Sequence, residues 1–206
     1  MRAIGLLTFN DGGVGYFCTA WLVSSDTIVT AGHCVHEGAG GAFSTDGVFY
    51  PARNGDSSPY GSCTVRLWLS NSTWMDQGDA EYDYGAAKLN CTIGLTTGTL
   101  GYFWQLPSLV GLPVLIPGYP GDRLFGSMWS GSSDITVSEV RTTHYPQDTF
   151  GGQSGSPVLE LDRPGTLCKR SCVNSIHAYG EDNGTNSGTR ITEEVYNFIK
   201  GAIAEP

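Results

Sequence analysis

The stretch Cys18–Val35, CTAWLVSSDTIVTAGHCV, contains two short apolar runs joined by the turn-forming residues at positions 24–26. Runs of this length, rich in Val, Ile, Thr and aromatic residues and bounded by polar turn residues, are typical of β-strands. Similar runs recur at Thr64–Leu69, Tyr84–Leu89, Pro113–Ile116, Ile135–Val140, Ser156–Leu161 and Val173–Ala178. Because closure removes exposed strand edges, so many short strands predict an all-β fold built from barrels.

The composition supports this fold class and excludes several kinds of partner. The 206 residues include 29 glycines and only 15% charged residues, which suits short strands joined by tight turns. The net charge of −9 repels phosphate backbones and anionic lipid surfaces, so we expect no nucleic acid and no membrane as partner. The length is sufficient for a buried core, and we expect a monomer.

The middle and the end of the chain interrupt the pattern of short strands. TTGTLGYFWQLPSLVG (Thr96–Gly111) mixes Gly, Pro and aromatic residues without clear periodicity. We therefore place a boundary at about residue 105, which divides the chain into barrels 1–105 and 106–206. Thr192 can cap a final helix at about 191–204. Its apolar residues recur at helical spacing, at Ile191, Val195, Phe198, Ile199 and Ala202.

The chain has an even number of cysteines, at Cys18, Cys34, Cys63, Cys91, Cys168 and Cys172. They lack the C-x-x-C spacing and the nearby paired histidines of metal sites, so disulfides are the better interpretation. Disulfides form in oxidising compartments, and we expect a secreted, extracellular protein. We expect no metal or cofactor, and the sequence does not indicate a structural calcium ion.

Three polar residues at predicted strand edges form the strongest candidate site. Ser154 lies in FGGQSGSPV (Phe150–Val158), which departs from the G-x-S-x-G nucleophile elbow because Ser156 replaces its second glycine. A serine nucleophile needs a base, which His33 in TAGHC could supply, and the base needs a buried carboxylate, which Asp83 in DAEYDYGAAKL could supply. A single such serine or histidine is more often structural, but the three together indicate a hydrolase.

TAGHC, DYGAAKL and GGQSGSPV resemble the three catalytic blocks of chymotrypsin-fold serine proteases, and the resemblance extends over nearly the whole chain. It implies two antiparallel Greek-key β-barrels and a C-terminal helix, with His33 and Asp83 in the first barrel and Ser154 in the second. The motifs GYPGDR, DTFGGQSGSP, SIHAYG and SGTRI, in that order, are similar to those of the glutamyl endopeptidase group. Protein or peptide substrates are therefore implied.

The resemblance also implies a role for each residue of the site. Ser154 would attack the peptide carbonyl, His33 would transfer the proton, and Asp83 would orient the imidazole. The backbone amides of Gly152 and Ser154 would form the oxyanion hole. Gln153 stands where trypsin-like enzymes have an aspartate that binds the new N-terminal ammonium, so we expect no activation by that salt bridge.

Two sets of residues give conflicting indications of which bond is cut. Asp148 lies six residues before Ser154, the offset at which trypsin-like enzymes keep the carboxylate that binds Lys or Arg. His177 and Thr149 instead match groups with which glutamyl endopeptidases bind a substrate carboxylate. Cleavage after Glu, and less well after Asp, is therefore favoured, with Lys or Arg specificity as the alternative. The resemblance further implies that the substrate backbone pairs with Ala178, Tyr179 and Gly180.

The predicted disulfides are Cys18 with Cys34, Cys63 with Cys91 and Cys168 with Cys172. The first pair flanks the hairpin that carries the candidate base, and the resemblance implies the same bridge. The last pair is close enough in sequence to close a small loop, which would leave the middle pair by elimination. Six cysteines nevertheless allow other pairings.

Two other classes of function remain as alternatives. A protease-like binding protein without turnover normally has a substituted member of the triad, whereas all three residues are present here. A secreted adhesion or carbohydrate-binding module would agree with the aromatic content of 11%. It would not explain why three catalytic blocks occur in order.

Overall fold

The computed structural model of this chain describes residues 1–161, 171–180 and 184–206. The strands are β1 Ile4–Asp11, β2 Val14–Leu22, β3 Thr27–Thr30, β4 Thr45–Pro51, β5 Cys63–Ser70, β6 Gly85–Leu89, β7 Gly101–Tyr102, β8 Pro113–Gly118, β9 Trp129–Asp134, β10 Val137–Ser138, β11 Thr142–Tyr145, β12 Pro157–Leu161, β13 Ser171–Gly180 and β14 Asn186–Arg190. The helices are α1 Ser72–Gln77, α2 Gly94–Thr97 and α3 Glu193–Ala204. None of the described helices is long and apolar enough to cross a membrane.

Strands β1 to β6 close into an antiparallel barrel in the order β1-β2-β3-β6-β5-β4, with β4 pairing back to β1. Leu7 lies opposite Cys18 on one side and Phe49 on the other, and all three side chains are buried. A β-bulge between Thr8 and Asn10 shifts the register of β1, which helps the sheet to curve. The predicted first barrel is confirmed.

The remaining strands form a second, antiparallel sheet in the order β10-β11-β14-β13-β12-β8-β9. In the described ranges it is a half-barrel, and together with the closed first barrel it confirms the predicted all-β fold of two antiparallel barrels. Strands β9 and β10 lie at opposite ends of this order, yet only Ile135 and Thr136 separate them in the sequence. The N–H of Ile135 donates to Leu112 O, and the N–H of Thr136 donates to His144 O. β7 precedes the predicted boundary at residue 105, yet it pairs with β13 of this sheet in parallel.

A shared core joins the barrel, the second sheet and α3. Trp21 of β2 and Val29 of β3 pack in one cluster with Ile176 of β13 and with Val195 and Ile199 of α3. Each of these side chains is fully buried. The strand ends that carry the candidate site residues are therefore held against one rigid core.

Helix α3 confirms the predicted C-terminal helix. It begins after Thr192, whose Oγ1 accepts the N–H of Val195 at 3.3 Å. At its other end the buried Lys88 of β6 donates through Nζ to Ile203 O at 3.4 Å and to Asp26 Oδ1 at 3.0 Å. A cation at a helix C-terminus interacts favourably with the helix dipole, so this contact fixes α3 to the first barrel.

Two of the three predicted disulfides are present in the first barrel. Cys18 is bonded to Cys34, and Cys63 is bonded to Cys91. The first ties β2 to the turn after β3, and the second ties β5 to the segment after β6. Cys168 lies outside the described residues, and so does its predicted bond with Cys172.

Candidate active site

His33 lies on a single 3₁₀ turn, Gly32–Cys34, directly after β3. The turn approaches Asp83 very closely, because a Cβ added at Gly32 would lie 2.9 Å from Asp83 Oδ1. On its other side, Cys34 is anchored by its disulfide with Cys18. The histidine is therefore fixed by a strand end, a close backbone approach and a covalent bond, while 31% of its side chain remains exposed.

Asp83 is fully buried and lies between the 3₁₀ turn Ala80–Tyr82 and β6. Its Oδ2 is 2.7 Å from His33 Nδ1, and its Oδ1 accepts the backbone N–H of His33 at 2.8 Å. Its carbonyl oxygen accepts from Thr189 Oγ1 of β14 at 3.0 Å, which ties this position to the second sheet. Because Nδ1 faces a carboxylate, it carries the proton and leaves Nε2 as an acceptor.

Burial and pairing act in opposite directions on these two groups. Burial alone would raise the pKa of Asp83, but its interactions with His33 outweigh burial and hold that pKa below its usual value. Burial also acts to lower the pKa of His33, and the charge and hydrogen bond of Asp83 raise it above its usual value. The pair is therefore suited to accept a proton on His33 while Asp83 stays charged.

Ser154 lies on the tight turn before β12. Gly152, two residues before Ser154, and Gly155, directly after it, have positive φ angles of 98° and 84°. L side chains rarely adopt such angles. The Ser154 carbonyl accepts the N–H of Thr19 at 2.8 Å, and the Ser154 hydroxyl donates to Ala178 O at 3.4 Å. A hydrogen bond of this length is weak, so little energy holds the hydroxyl in that position.

The end of β13 lies close to the predicted triad residues. The Ser154 hydroxyl contacts Ala178, and the ring centroid of His33 lies 5.8 Å from that of the next residue, Tyr179. Asp83 is joined to His33 by the two hydrogen bonds described above. Three residues far apart in the sequence thus border one short segment.

Two backbone hydrogen bonds orient the N–H groups of Gly152 and Ser154. The carbonyl of Gly151 accepts the N–H of Gly121 at 2.7 Å, and the carbonyl of Gln153 accepts the N–H of Ser156 at 2.9 Å. In a trans peptide the C=O and N–H point in opposite directions. These two bonds therefore orient the N–H groups that follow each carbonyl, which are the amides predicted for the oxyanion hole.

Neutral hydrogen bonds hold this turn where a trypsin-like enzyme would use a salt bridge. Gln153 is only 4% exposed, and its Oε1 accepts the N–H of Phe150 at 2.9 Å. Thr19 Oγ1 donates to Gly152 O at 3.0 Å and accepts the N–H of Tyr119 at 3.0 Å. The side chains of Gln153 and Thr19 thus fix the turn from both sides.

His177 lies in β13 and is almost completely buried. Its Nδ1 is 2.7 Å from the hydroxyl of Tyr145, and its ring also hydrogen-bonds to the backbone of Ser187. Burial, followed by the nearby charge of His33, lowers the pKa of His177 from 6.5 to about 4. The ring is therefore neutral at neutral pH.

Thr149 and Asp148 are neighbours in sequence but differ in their surroundings. Thr149 Oγ1 lies 3.7 Å from the position that a Cβ at Gly180 would occupy, so its hydroxyl borders the end of β13. Asp148 is exposed and lines a cleft of about 390 Å³ with Arg123. Thr149 lines the same cleft as Asp148, whereas His177 is not among its described lining residues.

Sequence reasoning missed several groups that support the site. Thr19 lies inside a run that predicted only a strand, and Tyr145 is 32 residues away from the histidine it contacts. Gly121 belongs to the GYPGDR motif, which was a usable signal that this loop matters. Nothing in the sequence indicated that the Tyr179 side chain would lie against His33.

The family profile described as "Trypsin-like peptidase domain" matches residues 18–167. The chain belongs to the trypsin-like peptidase family. This trypsin-like peptidase is 43% identical to the glutamyl endopeptidase of Bacillus licheniformis, over 88% of its own length and 58% of the relative's. It is 41% identical to a Bacillus subtilis protein named extracellular metalloprotease, over 90% of its own length and 58% of the relative's.

Solved structures give the same result. The chain matches the structure of a Glu endopeptidase in complex with MPD with a TM-score of 0.86 and 29% identity, over 99% of this chain and 91% of that one. It matches the protease Anisep from Arthrobacter nicotinovorans with a TM-score of 0.85 and 26% identity, over 100% of this chain and 97% of that one. The predicted resemblance to chymotrypsin-fold proteases of the glutamyl endopeptidase group is confirmed.

The name of the Bacillus subtilis relative raises the question of a metal centre. In the described ranges, one group of three potential ligands lies close together, Cys18, His33 and Cys34. The two sulfur atoms are joined in a disulfide, so neither is the thiolate that metal binding requires. Within the described part of the chain, this group of three therefore does not offer the donors of a catalytic metal site.

Proposed function

We propose that this trypsin-like peptidase is a secreted serine endopeptidase that cleaves peptide bonds after Glu, and less well after Asp. The observation that carries the proposal is the pair of hydrogen bonds between the buried Asp83 and His33, next to the turn of Ser154. A carboxylate that accepts from both the backbone and the ring of one histidine fixes its orientation and tautomer. The relatives named glutamyl endopeptidase support the same assignment.

In the proposed reaction, the Ser154 hydroxyl leaves Ala178 O and donates to Nε2 of His33. Its oxygen attacks the substrate carbonyl carbon while its proton passes to Nε2, and Asp83 stabilises the resulting imidazolium. When the tetrahedral intermediate collapses, the C–N bond breaks and the leaving amine takes the proton from His33. Water, activated by His33 in the same way, then hydrolyses the acyl-enzyme.

The oxyanion hole is proposed to consist of the N–H groups of Gly152 and Ser154. Their orientation is supported by the carbonyl groups of the two preceding residues, which are bonded to Gly121 and Ser156 on the opposite side. Since the donors are already oriented, they can stabilise the developing negative charge without rearrangement. Loss of one such donor typically costs about 3 to 4 kcal/mol of transition-state stabilisation.

Specificity for Glu is supported by the surroundings of His177 and Thr149. A substrate carboxylate next to His177 would offset the burial that keeps its pKa near 4, and would favour the protonated ring. The empty pocket then needs no permanent cation. The alternative is Lys or Arg specificity through Asp148, whose carboxylate lines one cleft together with Thr149.

The substrate backbone is proposed to pair with the end of β13. β12 pairs with β13 only as far as Pro157 opposite Ile176, whereas β14 pairs with Tyr179 and Gly180 on the other side. In the described part of the chain, residues 178–180 therefore have one unpaired edge. An extended peptide can add to such an edge through main-chain hydrogen bonds.

Secretion is supported by the two disulfides and by the name of the extracellular Bacillus subtilis relative. The proposed chemistry needs neither a cofactor nor a calcium ion, and it needs no second subunit. We propose a monomer that acts on proteins or peptides. Gel filtration with light scattering tests the monomer, and a mass above that of one chain contradicts it.

The test of function is hydrolysis of matched chromogenic peptides that end in Glu, Asp, Arg or Phe. We expect the highest kcat/KM for Glu, a lower value for Asp, and loss of activity after treatment with a serine-directed organophosphorus fluoride. Preference for Arg would contradict the specificity but not the mechanism. Absence of hydrolysis with every peptide would favour the inactive, protease-like binding protein.

A further inference from the structure

We propose that Tyr179 is a positioning residue for the pair His33–Asp83, with its hydroxyl acting as a third hydrogen-bond donor to Asp83 and its ring flanking the imidazole. This inference rests on the proposed Ser154 mechanism and deepens it. The resemblance alone gave Tyr179 only a backbone role in substrate pairing. The side chain adds a link between the substrate-binding strand and the catalytic base.

The imidazole of His33 has two aromatic neighbours. The Tyr179 ring lies 5.8 Å away, centroid to centroid, at an interplanar angle of 32°, and the Trp74 ring lies 6.5 Å away at 58°. Trp74 is itself buried, and its Nε1 donates to His36 O at 2.9 Å. These rings restrict the space in which the imidazole can rotate while it exchanges a proton.

After the charge and hydrogen bond of His33, hydrogen bonding from the Tyr179 side chain also acts to lower the pKa of Asp83. Burial, followed by the charge of Asp83 and this hydrogen bond, raises the pKa of Tyr179 above its usual value, so the phenol stays protonated and donates. In the proposed arrangement Asp83 accepts from Tyr179 in addition to the backbone and ring of His33, which are its two observed donors. A fully buried carboxylate is costly unless its oxygens are hydrogen-bonded, so a third donor helps to keep it charged and in place.

A β-bulge explains how Tyr179 can contact the pair. In a regular strand, residues 177 and 179 would project from the same face of the sheet. β13 instead has a register shift against β14 between His177 and Tyr179. His177 consequently reaches Tyr145, while the Tyr179 ring lies against His33. The bulge at Ala178 thus allows His177 and Tyr179 to contact different parts of the site.

This arrangement has a measurable electrostatic consequence. The Tyr179 hydroxyl shares the negative charge of Asp83 and so reduces the affinity of His33 for a proton. Without the hydroxyl, the pKa of His33 should rise. The other titratable groups that act on these residues are His177, which is near His33, and Asp79, which is near Tyr179. Removal of the Tyr179 hydroxyl leaves both His177 and Asp79 in place.

The test is Tyr179→Phe, which keeps the ring and removes the hydroxyl. We expect the acid limb of the kcat/KM profile to move upward by about half a pH unit or more, because only part of the lost hydrogen bond to Asp83 acts on the proton of His33. We expect kcat to fall about tenfold or less with little change in KM. The control is Tyr102→Phe, which removes a hydroxyl near Trp21 and Tyr196 and should leave the profile unchanged.

A second readout does not require turnover. The proton on His33 Nδ1 should give a downfield ¹H NMR signal, and Tyr179→Phe should shift both this signal and the pH at which it titrates. If Tyr179→Phe folds poorly, Tyr179→Leu is the second variant. It also removes the ring, and it should shift the signal at least as far. An unchanged signal and an unchanged acid limb would overturn the proposal. A wild-type protein without activity would contradict the proposed function, while the NMR result would still test Tyr179.

Discussion

Replacement of Asp83 by Asn tests how the two oxygens of this carboxylate are used. Both are acceptors, one from the backbone N–H of His33 and one from its Nδ1–H. An amide has only one acceptor oxygen. If that oxygen keeps the backbone N–H, the NH₂ group faces Nδ1, which must then lose its proton. If the amide is reversed, two N–H groups face each other at about 2.8 Å.

The first arrangement places the proton on Nε2, so the ring can no longer accept the proton of Ser154. Loss of the correct tautomer in such a triad costs about 10⁴-fold in rate, or about 5.5 kcal/mol. The assay is kcat/KM at pH 8 with a chromogenic glutamyl peptide. Asp79→Asn is the matched control, because the Asp79 side chain accepts the N–H of Glu81 at its own turn and reaches the site only through its charge near Tyr179. An Asp83→Asn variant within tenfold of wild type would refute the reasoning.

Three further predictions concern other parts of the molecule. Gly152→Ala should lower kcat/KM by about 10²-fold or more, because its Cβ would lie 2.3 Å from the Phe17 ring at a φ of 98°; full activity of a folded variant contradicts this. Lys88→Met should lower the urea unfolding free energy by about 3 kcal/mol and leave kcat/KM within about twofold; a loss below about 0.5 kcal/mol contradicts it. The pKa of His177 is about 4 in the folded state and 6.5 ordinarily, so the unfolded state binds the proton first as pH falls. Stability should therefore decrease from pH 6.5 towards pH 4, and His177→Gln should flatten this slope in urea titrations.

Much of the fold was predictable from the sequence because local patterns agree with the tertiary structure. The runs around Cys18–Val35 and Tyr84–Leu89 are apolar, short and bounded by turns, and both form strands of the first barrel. The helical spacing near the C-terminus likewise coincides with a buried face of α3. β9, with the sequence WSGSSD, could not be found in this way, because its composition is typical of a turn. It is a strand because all six of its residues pair with β8.

The candidate site was predictable where a short sequence motif contains the candidate catalytic residue. His33 and Asp83 could be paired from their motifs and the resemblance, and the structure joins them by two hydrogen bonds. The supporting contacts could not be predicted, because they depend on register and bulges. The bulge at Ala178 places Tyr179 against His33, and no spacing in SIHAYG reveals it. The contact of Thr19 with Gly152 likewise joins residues 133 positions apart.

We propose that Ser154 becomes a nucleophile because His33 and Asp83 are held beside it. The most direct measurement is reaction with an organophosphorus fluoride, followed by mass spectrometry of the peptides. The account predicts one adduct per chain, on Ser154, with its rate of formation reduced at least about 10³-fold in His33→Ala. An adduct on another residue, or an unchanged rate in the His33 variant, would contradict the account.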